Sequence, residues 1–248
     1  MELKNVIAKR ENKTVYLENG KTIKVFAENY PKSFVMNEAF NQAVIEEKGM
    51  NVPGILEIKL VDGKLVTVSE YVEGESLDSL MEKHPEKFDE YLEKFVELQV
   101  EYQSKFTLSL MRLSDKLHFQ IKDSALPATT RYDFHMRLDS MPKHHKICHG
   151  DYNPSNVIVG NDGKYYILDW SHATNGNGSG DAAMTYLLFK LDGKDEIAEK
   201  YLDLYCEKSG VEKNYVKQWI PMVAASHSTE CREGETERLK EWAQEYSN

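Results

Sequence analysis

The stretch His149-Gly150-Asp151-Tyr152-Asn153-Pro154-Ser155-Asn156, running on through Val157-Ile158-Val159 to Tyr165-Tyr166-Ile167-Leu168-Asp169-Trp170, decides how this chain of 248 residues is read. Residues 157–159 are β-branched, Asn161-Asp162-Gly163 is a turn signal, and residues 165–168 form a second apolar run. The pattern predicts a hairpin that brings Asn156 and Asp169 towards one another. Taken singly, Asp151 and Asn156 read as turn residues around Pro154, and Asp169 as the end of a strand. Taken together, in this order and behind a histidine, they read as a site.

The chemistry that needs such a set is phosphoryl transfer. It calls for a carboxylate to orient an acceptor hydroxyl and for oxygen ligands that hold Mg²⁺ on nucleotide phosphates. Asp151 is then the candidate base, and Asn156 and Asp169 are the candidate metal ligands. The order His-x-Asp-x-x-x-x-Asn, with a second Asp after a short hairpin, is that of a kinase catalytic loop. With Gly150 and Trp170 included, the stretch resembles the aminoglycoside phosphotransferase and choline kinase superfamily, whose loop reads His-Gly-Asp-x-x-x-x-Asn before an Ile-x-Asp-Trp-like motif. Protein kinases usually carry Arg where Gly150 stands and Phe-Gly after the metal Asp, whereas here Trp170-Ser171 follows. The resemblance covers nearly the whole chain and implies an α+β, bilobal, protein-kinase-like fold.

The outlying sequence fits a small antiparallel-sheet N-lobe over residues 1–72. Strands are expected at residues 5–8, 14–17 and 22–26, with a Glu18-Asn19-Gly20 turn, then at 55–60 and 65–71 around Val61-Asp62-Gly63. Between them, Phe34, Val35, Ala39, Phe40, Ala43 and Val44 recur at helical spacing and predict an amphipathic helix over residues 34–48. Residues 73–248 are expected as a mainly helical C-lobe with the catalytic loop, the metal site and acceptor-binding helices. Ser76 can cap a helix from Leu77, and a helical pattern with Tyr91, Phe95, Leu98 and Tyr102 on one face runs to about residue 120. Further helices are expected at 131–140, 181–189, 196–208 and 215–246, the last with a break near Pro221.

In the N-lobe, Lys24 alternates with Ile23 and Val25 and therefore points to the opposite strand face. Glu38 lies on the next helix. The resemblance implies that Lys24 contacts the nucleotide phosphates and that Glu38 holds it. It likewise implies a hinge at Glu70-Tyr71-Val72, with the Glu70 carbonyl and the Val72 amide offered to adenine. The segment Lys9-Arg10-Glu11-Asn12-Lys13, expected as the phosphate-covering loop, has no glycine, as in the small-molecule branch of the superfamily. His149 is expected to support the catalytic loop structurally. The glycine-rich run 176–180 precedes a helix that Asp181 can cap, and the resemblance implies that Asp181 anchors the catalytic loop through backbone hydrogen bonds.

Composition narrows the setting. The net charge of −10 and pI near 5.4 oppose nucleic acid and anionic membranes as partners and suit a cationic small molecule. No apolar run approaches a membrane span, and the N-terminus does not read as a secretory signal, so a cytoplasmic protein is expected. Cys148, Cys206 and Cys231 lie far apart and argue against a disulfide framework or a zinc site. Near the C-terminus, Glu230, Glu233, Glu235 and Glu237 cluster with Arg232 and Arg238, either as a face for a cationic acceptor or as a solvated helix side. The reading is a Mg²⁺-dependent transfer of the γ-phosphoryl of ATP or GTP to a hydroxyl of an aminoglycoside-like, choline-like or sugar acceptor. A protein kinase and a nucleotide-binding regulator without turnover are the alternatives.

Overall fold

A computed structural model describes residues 3–10, 12–229 and 234–245. Along the chain run β1 (Val6–Lys9), β2 (Lys13–Glu18), β3 (Lys21–Phe26), α1 (Lys32–Glu47), β4 (Ile55–Val61), β5 (Lys64–Glu70), β6 (Gly74–Ser76) and α2 (Leu77–Lys83). There follow α3 (Phe88–Ser104), α4 (Leu113–Asp123), α5 (Ala128–Ser140), β7 (Lys146–Cys148), β8 (Val157–Gly160), β9 (Tyr165–Ile167) and β10 (Thr174–Gly176). The C-terminal part holds α6 (Gly178–Leu191), α7 (Asp195–Ser209), α8 (Lys213–Lys217), α9 (Ile220–His227) and α10 (Thr236–Glu245).

These elements form two compact units, Met1–Lys83 with Pro154–His172, and His84–Asn153 with Ala173–Asn248. This grouping does not follow chain order as a cut after residue 72 does, for a physical reason. β6 pairs antiparallel with β8, and β8 with β9, so the predicted hairpin completes a sheet with the segment that follows β5.

In the first unit a five-stranded antiparallel sheet has the order β1-β2-β3-β5-β4. Its two tight hairpins are set by their turns. Asn19 and Gly20 have φ of 52° and 69°, and Asp62 and Gly63 have 50° and 79°, the left-handed pairs that match strand twist in a two-residue loop. Ile23, Val66 and Val68 form the core of one face, with Tyr16 and Val25 packed against it. Helix α1 departs from its expected face: Phe34 and Phe40 are 59% and 51% exposed, while Val35, Ala39 and Ile45 are buried beside the polar Glu38, Asn41 and Gln42. Those polar groups are satisfied locally. Asn41 donates to the carbonyls of Trp170 and Ser171, and Gln42 to that of Pro53. The burial pattern is therefore mixed: Val35, Ala39 and Val44 of the expected face are buried, Phe34 and Phe40 are not.

In the second unit α3 packs on α7 and on β7, and α6 on α7 and α9. The expected helical run over 77–120 is in fact three helices. Pro85 opens a short 3-10 turn after α2, and an irregular stretch separates α3 from α4. Ser76 accepts a hydrogen bond from the Ser79 amide at 3.3 Å and so caps α2 within the first unit. The break expected near Pro221 falls between α8, which ends at Lys217, and α9, which starts at Ile220 and holds Pro221 in its first turn, where its missing N–H costs nothing. Helix α6 starts earlier than expected, and Asn177 caps it, not Asp181: the Asn177 Oδ1 accepts from the Ser179 amide at 3.0 Å. The glycines that suggested a loop lie inside the helix because neighbours come close. A Cβ on Gly180 would stand 2.9 Å from both Leu113 Cδ2 and Trp219 Cε3.

Candidate active site

The geometry of the first unit begins with strand register. The turn at Asn19-Gly20 pairs Glu18 with Lys21, and by extension Val15 with Lys24 and Lys13 with Phe26. Side chains of directly paired residues share a face, so Lys13 and Lys24 emerge on the same side of the sheet. There both meet Glu38 of α1. Lys24 Nζ is hydrogen-bonded to Glu38 Oε1, and Lys13 Nζ lies 3.2 Å from Oε2. Lys13 also lies 4.0 Å from Asp169 Oδ2 and 5.9 Å over the Phe26 ring.

The Lys24 ammonium is pulled down by burial, but the charges of Glu38 and Asp169 and the hydrogen bond to Glu38 outweigh this and leave it raised. A strongly basic lysine thus sits among two carboxylates, as a group meant to stay charged. Asp169 itself has φ of +58°, a left-handed conformation that a non-glycine residue adopts at a cost, and its Oδ1 accepts from Ser171 Oγ at 2.9 Å. The Leu168 amide donates to the Asn156 carbonyl at 2.8 Å, which closes the hairpin and ties the two ends together.

Asn156 and Asp169 offer hard oxygen donors, and Mg²⁺ commonly takes one or two protein ligands when phosphates and water complete its shell. Among the described residues there is no group of three or more His, Cys, Asp or Glu side chains able to hold a metal alone. The donor set therefore fits a metal that arrives with phosphate. Of the residues expected as a hinge, Glu70 ends β5 and Tyr71 and Val72 follow it. The Glu70 backbone amide donates to the Gly54 carbonyl, and its carboxylate accepts from the Gly54 amide, both at 3.0 Å. The three line a depression of about 560 Å³ with the Asn19-Gly20 turn and Tyr166, and neither Lys24 nor Asp169 is in its walls.

In the second unit the segment His149-Gly150-Asp151 is held from beneath by Asp181 in the first turn of α6. Asp181 Oδ1 accepts from the Gly150 amide at 2.8 Å, and Oδ2 from Tyr102 Oη at 2.6 Å and Gln103 Nε2 at 3.1 Å. Gly150 has φ of +82°, so glycine suits the turn that presents its amide to Asp181. His149 is fully buried, and its Nδ1 accepts from the Asp151 amide at 3.2 Å. Tyr152 next to it is also buried, stacked on Phe95 at 4.2 Å and donating to the Phe95 carbonyl at 2.9 Å. Asp151 is partly exposed, and Asn153 Nδ2 donates to its Oδ1 at 3.2 Å. Burial, with the Asp181 charge next, pushes the Tyr102 and Tyr152 hydroxyls well up, so both stay neutral donors.

The structure thus gathers Lys24, Glu38 and Asp169 in one unit, and His149, Asp151 and Asp181 in the other. Lys13, Tyr102 and Gln103 were not singled out by sequence. For Lys13 a signal existed, because the two-residue turn at Asn19-Gly20 fixes its register against β3; for Tyr102 and Gln103 none did. Of the C-terminal acidic cluster, Glu230, Arg232 and Glu233 lie outside the described residues. In α10, Glu237 pairs with Lys240 at 2.7 Å and Arg238 lies 4.5 Å over the Trp242 ring, as on a solvated helix side. Among the described residues, no helix is long and apolar enough to cross a membrane.

Solved structures similar to this chain include a thermostable mutant of aminoglycoside phosphotransferase APH(4)-Ia in its apo form. It is 13% identical, with a TM-score of 0.69 over 99% of this chain and 92% of that one. The choline kinase LicA from Streptococcus pneumoniae is 16% identical, with a TM-score of 0.65 over 99% and 92%. An aminoglycoside-3'-phosphotransferase of type VIII is 14% identical, with a TM-score of 0.63 over 91% and 93%. The likeness is one of fold, and the fold is protein-kinase-like, with a small antiparallel sheet at the N-terminal side and helices at the C-terminal side. No curated protein matches the sequence. The profile of the phosphotransferase enzyme family (APH) matches residues 2–215, and the chain belongs to that family.

Proposed function

We propose that this phosphotransferase moves the γ-phosphoryl group of ATP or GTP to a hydroxyl of a small-molecule acceptor of the aminoglycoside, choline or sugar kind. The observation that carries the reading is the ion pair of Lys24 and Glu38 beside Asp169, which keeps a charged ammonium where triphosphate charge needs it. The family supports it, as do neighbours whose crystals hold nucleotides: APH(4)-Ia with AMP-PNP and hygromycin B, and LicA with AMP.

In this mechanism Lys24 holds the α- and β-phosphates, and Glu38 fixes Lys24 in place. The Glu70 carbonyl and Val72 amide read the adenine edge. Asn156 and Asp169 would hold Mg²⁺, which would supply charge neutralisation for the phosphates. Asp151 orients the acceptor hydroxyl and takes its proton, while His149 and Asp181 keep its backbone in position through the Asp151 and Gly150 amides. Among these acceptors, the chain's net charge of −10 favours the cationic ones. The site is cytoplasmic in this proposal, where nucleotide triphosphate is available.

The test is a thermal-shift screen of amino sugars, choline and neutral sugars with Mg²⁺ and a non-hydrolysable nucleotide, followed by transfer assays on the hits. Bound acceptor raises the melting temperature by mass action. Phosphorylation of protein substrates with no small alcohol accepted would overturn the proposal.

A further inference from the structure

One carboxylate in the first unit carries two lysines. Glu38 gives Oε1 to Lys24 and Oε2 to Lys13, and Lys13 extends 4.0 Å further to Asp169 Oδ2. The cluster is largely withdrawn from water: the side chains of Lys13, Lys24 and Glu38 are 19%, 20% and 10% exposed. Ion pairs in such a setting are weakly screened, so the arrangement is governed by charge balance. Two ammonium groups against two carboxylates make it neutral.

A divalent cation on Asp169 breaks that balance. It would share the carboxylate with an ammonium already facing Oδ2, and like charges this close repel in a low-dielectric site. Lys13 must then turn elsewhere. Its ammonium also sits over the Phe26 ring, a soft contact that lets it pivot without losing all stabilisation. Chain chemistry supplies a destination. The Lys9–Lys13 segment has no glycine and so lacks the backbone freedom of a glycine-rich loop, and a side-chain cation at its end can supply charge to phosphate.

Resting on the phosphotransferase reading above, we infer that Lys13 is a positioning residue with two stations. Before metal binds it holds the Asp169 carboxylate, and when metal takes that carboxylate it passes to the nucleotide phosphates. Lys13 thereby makes metal and nucleotide binding support each other, since each relieves the charge conflict that the other creates. No bond is made or broken, and only ion partners are exchanged.

The experiment measures Mn²⁺ binding as a spectroscopic stand-in for Mg²⁺, with and without a non-hydrolysable ATP analogue, in the wild type, Lys13→Met and Lys13→Arg. The wild type should bind Mn²⁺ weakly alone and more tightly with the analogue. In Lys13→Met the metal should bind more tightly without nucleotide, metal-free nucleotide affinity should fall, and the mutual enhancement should drop at least about fivefold. Lys13→Arg should restore most of the coupling, which a merely structural loss in Lys13→Met would not predict. Equal Mn²⁺ affinities and equal enhancement in wild type and Lys13→Met would overturn the inference while leaving phosphoryl transfer intact. A wild type that bound neither Mn²⁺ nor nucleotide would overturn both.

Discussion

The two charged centres of the molecule are built on opposite plans. Around Glu38, full charges neutralise one another: two lysines share one carboxylate in a set that can exchange partners. Around Asp181, a single carboxylate that is 2% exposed is satisfied by neutral donors, the Gly150 amide, Tyr102 and Gln103. A buried charge held by dipoles has nowhere else to go, and removing it leaves several donors unmet. A cluster of opposed full charges can be rearranged by the next ion that arrives. The difference separates a centre that should respond to ligand from one that should resist everything short of unfolding.

The sharpest way to test this contrast is to alter function and stability separately. Asp151→Asn, beside the rigid centre but partly exposed, should lower kcat by about 10²–10⁴-fold in a transfer assay while nucleotide affinity stays near wild type. Lys24→Met, in the responsive centre, should lower kcat/KM by about 10²–10³-fold through lost stabilisation of phosphate charge, with the melting temperature little changed. Asp181→Ala should do the reverse of Lys24→Met: a loss of about 2–4 kcal/mol in denaturant unfolding, since Gly150, Tyr102 and Gln103 lose their acceptor. If Asp181→Ala left stability intact, the contrast between the centres would collapse.

Alkaline titration sharpens the same comparison. Tyr102, Tyr152 and Tyr201 have hydroxyls raised well above their ordinary 10.0 by burial, with Asp181 adding to each. A group raised in the folded state contributes stability that is complete below its unfolded value and is lost as pH rises above it. The second unit should therefore begin to lose stability near pH 10.0, with tyrosinate absorbance appearing in step with loss of helical circular dichroism. Lys24, raised in the same sense, gives a smaller decline starting near 10.5.

Sequence made some of this legible and hid the rest. The hairpin turns were readable because Asn-Gly and Asp-Gly pairs adopt left-handed backbone at little cost, and the observed φ values at residues 19–20 and 62–63 follow. The meeting of Lys24 with Glu38 was legible in residue order and strand alternation, and the structure pairs them. The buried face of α1 was legible only in part, because it mixes Val35, Ala39, Val44 and Ile45 with Asn41 and Gln42, whose amides go to backbone carbonyls outside the helix that periodicity cannot foresee. The start of α6 was missed because glycine signals a loop by propensity, while here it permits close packing against Leu113 and Trp219. The Tyr102–Gln103–Asp181 cradle depends on contacts about 80 residues apart, beyond any local pattern.

The left-handed backbone at Asp169 reaches beyond the charge of its side chain. Left-handed φ disfavours most side chains by about 1–2 kcal/mol and is tolerated best by Gly, Asn and Asp. On the proposed mechanism two selections thus act on one position, one for a ligand oxygen and one for a backbone shape. Asp satisfies both, Asn keeps the shape with a weaker ligand, and Gly keeps only the shape. A library randomised at this codon and sorted for folding alone should already return chiefly these three residues, before any selection for activity is applied.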